Sequence, residues 1–141
     1  MTTMKRIIYP TPDGGVAVII PAESVELALK DVPEGVAYEI VDADDIPSDR
    51  YFRNAWVADG AAIEVDLGKA KDIGHYIRRA QRAEEFAPFD EIIAKQIPGV
   101  PAAEAEANRQ AIRDKYALIQ DVIDSASDTD TIKLALEANK P

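Results

Sequence analysis

Lys71, His75, Arg78 and Arg82 recur at helical spacing, so a helix through them would carry one positively charged strip. Such a strip could hold phosphate or nucleic acid. No aromatic residue sits within it to stack a base, and a solvated face or docking of the chain's own acidic segment accounts for it equally well. His75 is the sole imidazole, and no glycine-flanked serine elbow accompanies it, so its expected place is a polar helix surface rather than a Ser-His-Asp triad. Asp42, Asp44 and Asp45 suggest calcium. Counted from Asp42, however, the sixth loop position is Pro47 where glycine is required, and the twelfth is Arg53 where a bidentate glutamate is required. The chain has no cysteine, which removes disulfides, thiol catalysis and thiolate metal sites together. Gly14-Gly15 lies in a turn between strands rather than at a helix start, so it is not a phosphate cradle. No catalytic residues, cofactor or metal are expected from these patterns.

The chain has 141 residues, enough for one domain or two small units; a single body of this size buries roughly 68–70% of its unfolded surface. The net charge of −10 argues against a general nucleic-acid binder, but the charge is uneven. Residues 21–49 carry nine acids against Lys30, whereas residues 67–83 carry Lys69, Lys71, Arg78, Arg79 and Arg82 against Asp72. No apolar run approaches the roughly 18 residues of a membrane span, and the start resembles no signal peptide, so the expected location is inside a cell or a particle assembled there.

Arg6–Tyr9 and Val16–Ile20 are apolar β-branched runs joined by a Pro- and Gly-rich turn, a hairpin pattern; being apolar nearly throughout, both strands should be covered on parts of both faces. Ser24 can cap a short helix over 25–30. A third strand is expected over 37–41, a short helix over about 49–57 with Phe52 and Trp56 on one side, and a fourth strand over 61–65. Asp66 then caps a helix with Ala70, Ile73, Ile77 and Ala80 facing inward, which Pro88 should break or kink before a segment over 89–97. Pro98-Gly99-Val100-Pro101 reads as a linker, followed by a long helix over 102–124 with a seam of Ile112, Tyr116, Ile119 and Ile123 flanked by Leu118 and Val122. A final short helix carries Ile132, Ala135 and Leu136. The expected fold is α+β, a small β-sheet unit with short helices over residues 1–65 and a long helical hairpin over 66–141 with its linker at 98–101. A lone hairpin buries one side of each helix, so self-association into a homo-oligomer is expected.

Three of the nine aromatic residues, including the only Trp, fall between Tyr51 and Trp56. Truncating a buried Trp or Phe costs about 3–5 kcal/mol, which assigns Phe52 and Trp56 to the core. Tyr51, on another face beside Arg50 and Asn54, is the candidate for contact with a partner.

Several stretches together resemble small proteins of tailed bacteriophages and prophages encoded near tail or tail-fibre genes. They are Lys5-Arg6-Ile7-Ile8-Tyr9-Pro10, Gly14-Gly15 running into Val16-Ala17-Val18-Ile19-Ile20-Pro21, Ile40-Val41-Asp42 and Ile46-Pro47-Ser48-Asp49-Arg50 leading to Phe52-Arg53-Asn54-Ala55-Trp56, then Val65-Asp66-Leu67-Gly68-Lys69-Ala70 with the Arg-rich helix. The likeness covers about the first 85 residues. Arg109-Gln110-Ala111-Ile112-Arg113-Asp114 is similar to a helical segment of phage tail assembly chaperones. The resemblance implies a phage origin and no catalytic residues. The expected function is therefore a non-enzymatic structural or tail-assembly protein that contacts tail or tail-fibre proteins through Arg50, Tyr51 and the Lys71, His75, Arg78, Arg82 strip, in the host bacterial cytoplasm during assembly or in the virion. The alternative is an acidic phage inhibitor, with segment 21–49 competing for a host protein's nucleic-acid groove.

Overall fold

The computed structural model describes residues 4–95 and 100–141. The fold is α+β: the described residues form five short strands in two antiparallel sheets and four α-helices, two of them long. The chain divides into two compact units, Met1–Lys69 and Ala70–Pro141.

In the first unit, β1 (Lys5–Pro10) is the central strand, between β2 (Val16–Ile19) and β3 (Glu39–Asp42). Ile7 lies opposite Ile19 and Ile40, while Ile8 lies opposite Val18 and Glu39. Neighbouring residues of a strand point to opposite faces, and Ile7 and Ile8 are both buried, so the central strand is covered on both sides as its unbroken apolar run predicts. Part of that cover is α1 (Val25–Ala28), which packs on β1 and whose start is capped by Ser24 accepting from the Leu27 N–H at 3.2 Å.

The expected helix over 49–57 does not form. Arg53–Ala55 makes one tight 3₁₀ turn, and Trp56 then begins β4 (Trp56–Asp59), which pairs with β5 (Ala62–Val65). The deciding feature is Asp59-Gly60 between two apolar runs. Gly60 has φ of 62°, which lets the chain reverse, and the resulting ladder satisfies the backbone of both strands. The Asp66 N–H extends the ladder to the Ala55 carbonyl at 2.9 Å.

Asp66 caps α2 (Leu67–Ala94), accepting the Lys69 N–H at 2.9 Å. Contrary to expectation, α2 runs through Pro88 as one helix. Pro88 and Glu84 are both exposed, so the carbonyl that loses its partner four residues back can turn to water. The expected segment over 89–97 ends at Ala94 within α2; its last two residues lie outside the described residues. Of the linker at 98–101, Pro98 and Gly99 also lie outside them, while Val100 and Pro101 open α3 (Val100–Ser125), where proline is tolerated. Then α4 (Thr129–Ala138) packs on α3, capped by Asp128 accepting the Thr131 N–H at 2.8 Å.

In the second unit Ile112, Tyr116, Ile119 and Ile123 form the buried seam of α3, joined by Ile132 and Leu136 of α4. Leu118 and Val122 do not join it; they are 68% and 39% exposed. The apolar arc of α3 is wider than the face its neighbours cover. The buried side of α2 also differs from the expected one. It is formed by Ala70, Gly74 and Arg78, with Ile73 and Ile77 half-buried and Ala80 exposed. Gly74 explains the rotation, since having no side chain it admits Ile132 and Ile123 to close contact.

Candidate functional site

Lys71, His75, Arg78 and Arg82 do share α2, but they do not make a continuous solvent-facing strip. The C-terminal end of α3 meets two of them, and a third bonds to one of those two. Lys71 Nζ donates to the Asp124 carbonyl at 2.9 Å, one of the helix-end carbonyls that lack a helical partner and carry the negative end of the helix dipole. His75 Nε2 lies 2.7 Å from the Asp124 carboxylate. Arg78, only 5% exposed, donates from Nε to His75 Nδ1 at 3.2 Å. A guanidinium cannot accept, so Nδ1 must be the acceptor and the proton sits on Nε2, donated to Asp124. Burial depresses the Arg78 pKa below the ordinary arginine value, with the charges of Arg82 and Arg79 adding to the effect and Asp124 opposing it. Arg82 is half-buried one turn further on.

Sequence spacing could not reveal a second polar station on the same helix pair. Glu85 of α2 accepts from Lys115 Nζ at 3.1 Å through each carboxylate oxygen and from the Tyr116 hydroxyl. Burial, followed by the hydrogen bond to Glu85, raises the Tyr116 phenol well above its usual range. Further along, Arg109 Nε lies 3.0 Å from Asp90 while Nη1 donates to Glu106 at 2.9 Å, and Arg113 Nη2 donates to Glu106 at 2.7 Å. These bonds lower the Glu106 pKa, the hydrogen bond from Arg113 most of all. Beside this station a cleft of about 450 Å³ opens between α2 and α3, lined by Pro88, Phe89, Ala111 and Ile112 with Glu85 and Lys115. No family model, curated protein or solved structure matches the chain.

In the first unit Phe52 and Trp56 are core residues, Trp56 being 1% exposed. Tyr51 is half-buried and meets the Phe52 ring edge-on at 4.9 Å between centroids. Exposed Arg50 stacks its guanidinium over Trp56, 5.6 Å from the ring centre. Arg50 also lines a cleft of about 650 Å³ with Arg6, Ile20, Ile46, Asp44 and Asp45. Asp42 is engaged by Lys5, and Asp45 accepts the Asp42 N–H at 3.3 Å. Among the described residues no group of three or more His, Cys, Asp or Glu side chains is placed to hold a metal ion, and no helix is long and apolar enough to cross a membrane.

The second unit carries large apolar side chains in water: Leu118 and Val122 on α3, Tyr76 on α2 and Leu134 on α4. Ala111, Leu118 and Val122, at steps of seven and four, fall on one side of α3, so the stripe continues from the cleft.

Proposed function

We propose that the chain is a non-enzymatic structural or assembly protein of a tailed bacteriophage, which holds a tail or tail-fibre protein against its helical unit. The phage assignment is supported by the resemblance of the first 85 or so residues. The mode of action is supported by one observation above the others: Leu118 and Val122 stand exposed beside the Pro88, Phe89 and Ala111 cleft. An exposed apolar stripe of this kind marks a contact for another protein, and a groove beside a helix suits an amphipathic partner helix. The protein would act in the host bacterial cytoplasm during assembly, and a structural component would remain in the virion.

Quantitative mass spectrometry of purified virions, paired with capture of a tagged chain from infected cells, tests this reading. Recovery in stoichiometric amounts from virions is expected of a structural part. Absence from virions with a tail protein captured before assembly is expected of a chaperone. Finding the chain in neither association would overturn the proposal.

A second reading is supported by the acidic segment. Eight of its nine acids, Glu23, Glu26, Asp31, Glu34, Glu39, Asp44, Asp45 and Asp49, are exposed. An inhibitor that displaces nucleic acid from a host protein would need such a surface. A host nucleic-acid-binding protein captured in place of a tail protein would favour it.

A further inference from the structure

Three neighbouring arginines of α2, Arg78, Arg79 and Arg82, have no carboxylate within 4 Å among the described residues. This happens in a chain with 26 acids against 16 lysines and arginines. Two nearby acids are committed elsewhere, Asp124 to His75 and Glu85 to Lys115 and Tyr116. Arg78 is the sharpest case. More than nine-tenths buried, it makes a single hydrogen bond, through Nε to a neutral ring nitrogen, and its two terminal nitrogens, which have no protein acceptor, keep contact with solvent. Burying most of a guanidinium without a counter-ion costs stability, because the charge loses much of its water and gains only one neutral acceptor in return. The arrangement becomes favourable when an anion arrives, and the two terminal N–H groups of a guanidinium fit the two oxygens of a carboxylate.

We propose that the Arg78 guanidinium, with Arg82 one turn further on, receives a single carboxylate side chain from a partner protein. The depth of Arg78 selects the occupant. A carboxylate at the tip of a side chain can reach one recessed guanidinium, whereas a nucleic-acid backbone needs an exposed row of cations to follow its phosphates. Lys71 and His75, already held by Asp124, do not take part. This assignment rests on the reading of the chain as a protein-contact module and names a recognition element within it.

The test is nuclear magnetic resonance of the arginine Nε–H groups of the full chain, titrated with a hexaglutamate peptide at fixed ionic strength, with oligothymidylate as the comparison. A saturable shift of the Arg78 resonance is expected with the peptide. Arg82→Gln should weaken it about tenfold, the effect of losing one charge-assisted hydrogen bond. In Arg78→Met the neighbouring His75 resonances should stop responding. A wild type without a saturable response, an Arg78→Met protein whose His75 still responds, or tighter binding of oligothymidylate with the same Arg78 dependence would each overturn the proposal. If the peptide response fails while a tail protein is still captured through Leu118 and Val122, only the Arg78 assignment falls. If capture fails while Arg78 still binds the peptide, the phage-assembly reading falls.

Discussion

Replacing Gly74 by alanine probes the helical unit at its closest approach. A Cβ there would lie 2.7 Å from Ile132 Cγ2 and 3.6 Å from two methyl carbons of Ile123. Carbon atoms in contact rest about 3.5–4.0 Å apart, so the Ile132 methyl would have to retreat by about 1 Å. Ile132 is β-branched and lies on a helix, which restricts it to essentially one χ1 rotamer, so α4 itself must move. Overpacking of this kind costs about 1–3 kcal/mol. Alanine returns about 1 kcal/mol through its better helix propensity, leaving a net loss of about 0–2 kcal/mol. In an Ile132→Ala background, itself destabilised by about 2–5 kcal/mol, the opposing methyl is gone. There Gly74→Ala should stabilise by about 1 kcal/mol, so the coupling between the two sites is about 1–3 kcal/mol and the effect of the alanine changes sign. Urea unfolding followed by far-UV circular dichroism measures this. An equal effect of Gly74→Ala in both backgrounds would refute the close contact between Gly74 and Ile132.

Alkaline unfolding should depend on Tyr116. Its folded pKa is raised by burial and by Glu85, so its contribution to stability is complete below the unfolded value of about 10 and is lost as pH rises through the folded value. Between about pH 9 and about pH 11 the wild type should lose stability faster than Tyr116→Phe; parallel curves would exclude the buried phenol as the cause. Gly60→Ala meets no atom within 4 Å, so its expected penalty of about 1–2 kcal/mol comes from the backbone φ of 62° alone. Trp56 fluorescence would detect it, and an unchanged midpoint would show that the hairpin turn can readjust. Leu118→Glu combined with Val122→Glu should leave stability within about 0.5 kcal/mol while lowering self-association measured by light scattering. A wild type that is strictly monomeric at tens of micromolar would overturn the expected homo-oligomer.

Where one local rule determined the outcome, the fold was legible. Ser24 and Asp66 cap helices that begin where they stand, and the Ile112, Tyr116, Ile119 and Ile123 spacing produced the buried seam of α3. Where two local rules competed, the longer-range partner decided. Phe52 and Trp56 have the spacing of a helix face, but Asp59-Gly60 joined Trp56 to a strand pair whose other half lies beyond the turn. Pro88 has the signature of a break, yet a proline whose freed carbonyl can meet water is tolerated.

The binding candidates divide along the same line. Spacing placed Lys71, His75, Arg78 and Arg82 on one helix, but it could not tell which of them would meet an acid, because Asp124 lies 49 residues from His75. Its position at the end of α3 brings a carbonyl and a carboxylate to α2 together, and these engage Lys71 and His75 directly. Once Asp124 is committed there, Arg78 has only a neutral imidazole nitrogen to bond. Glu85, the acid seven residues further along α2, is held away by Lys115 and Tyr116. Two polar stations on one helix pair thus each consume an acid and leave the arginines between them unmatched. A net charge of −10 offers no hint of this, since what matters at Arg78 is which carboxylates remain uncommitted rather than how many the chain contains.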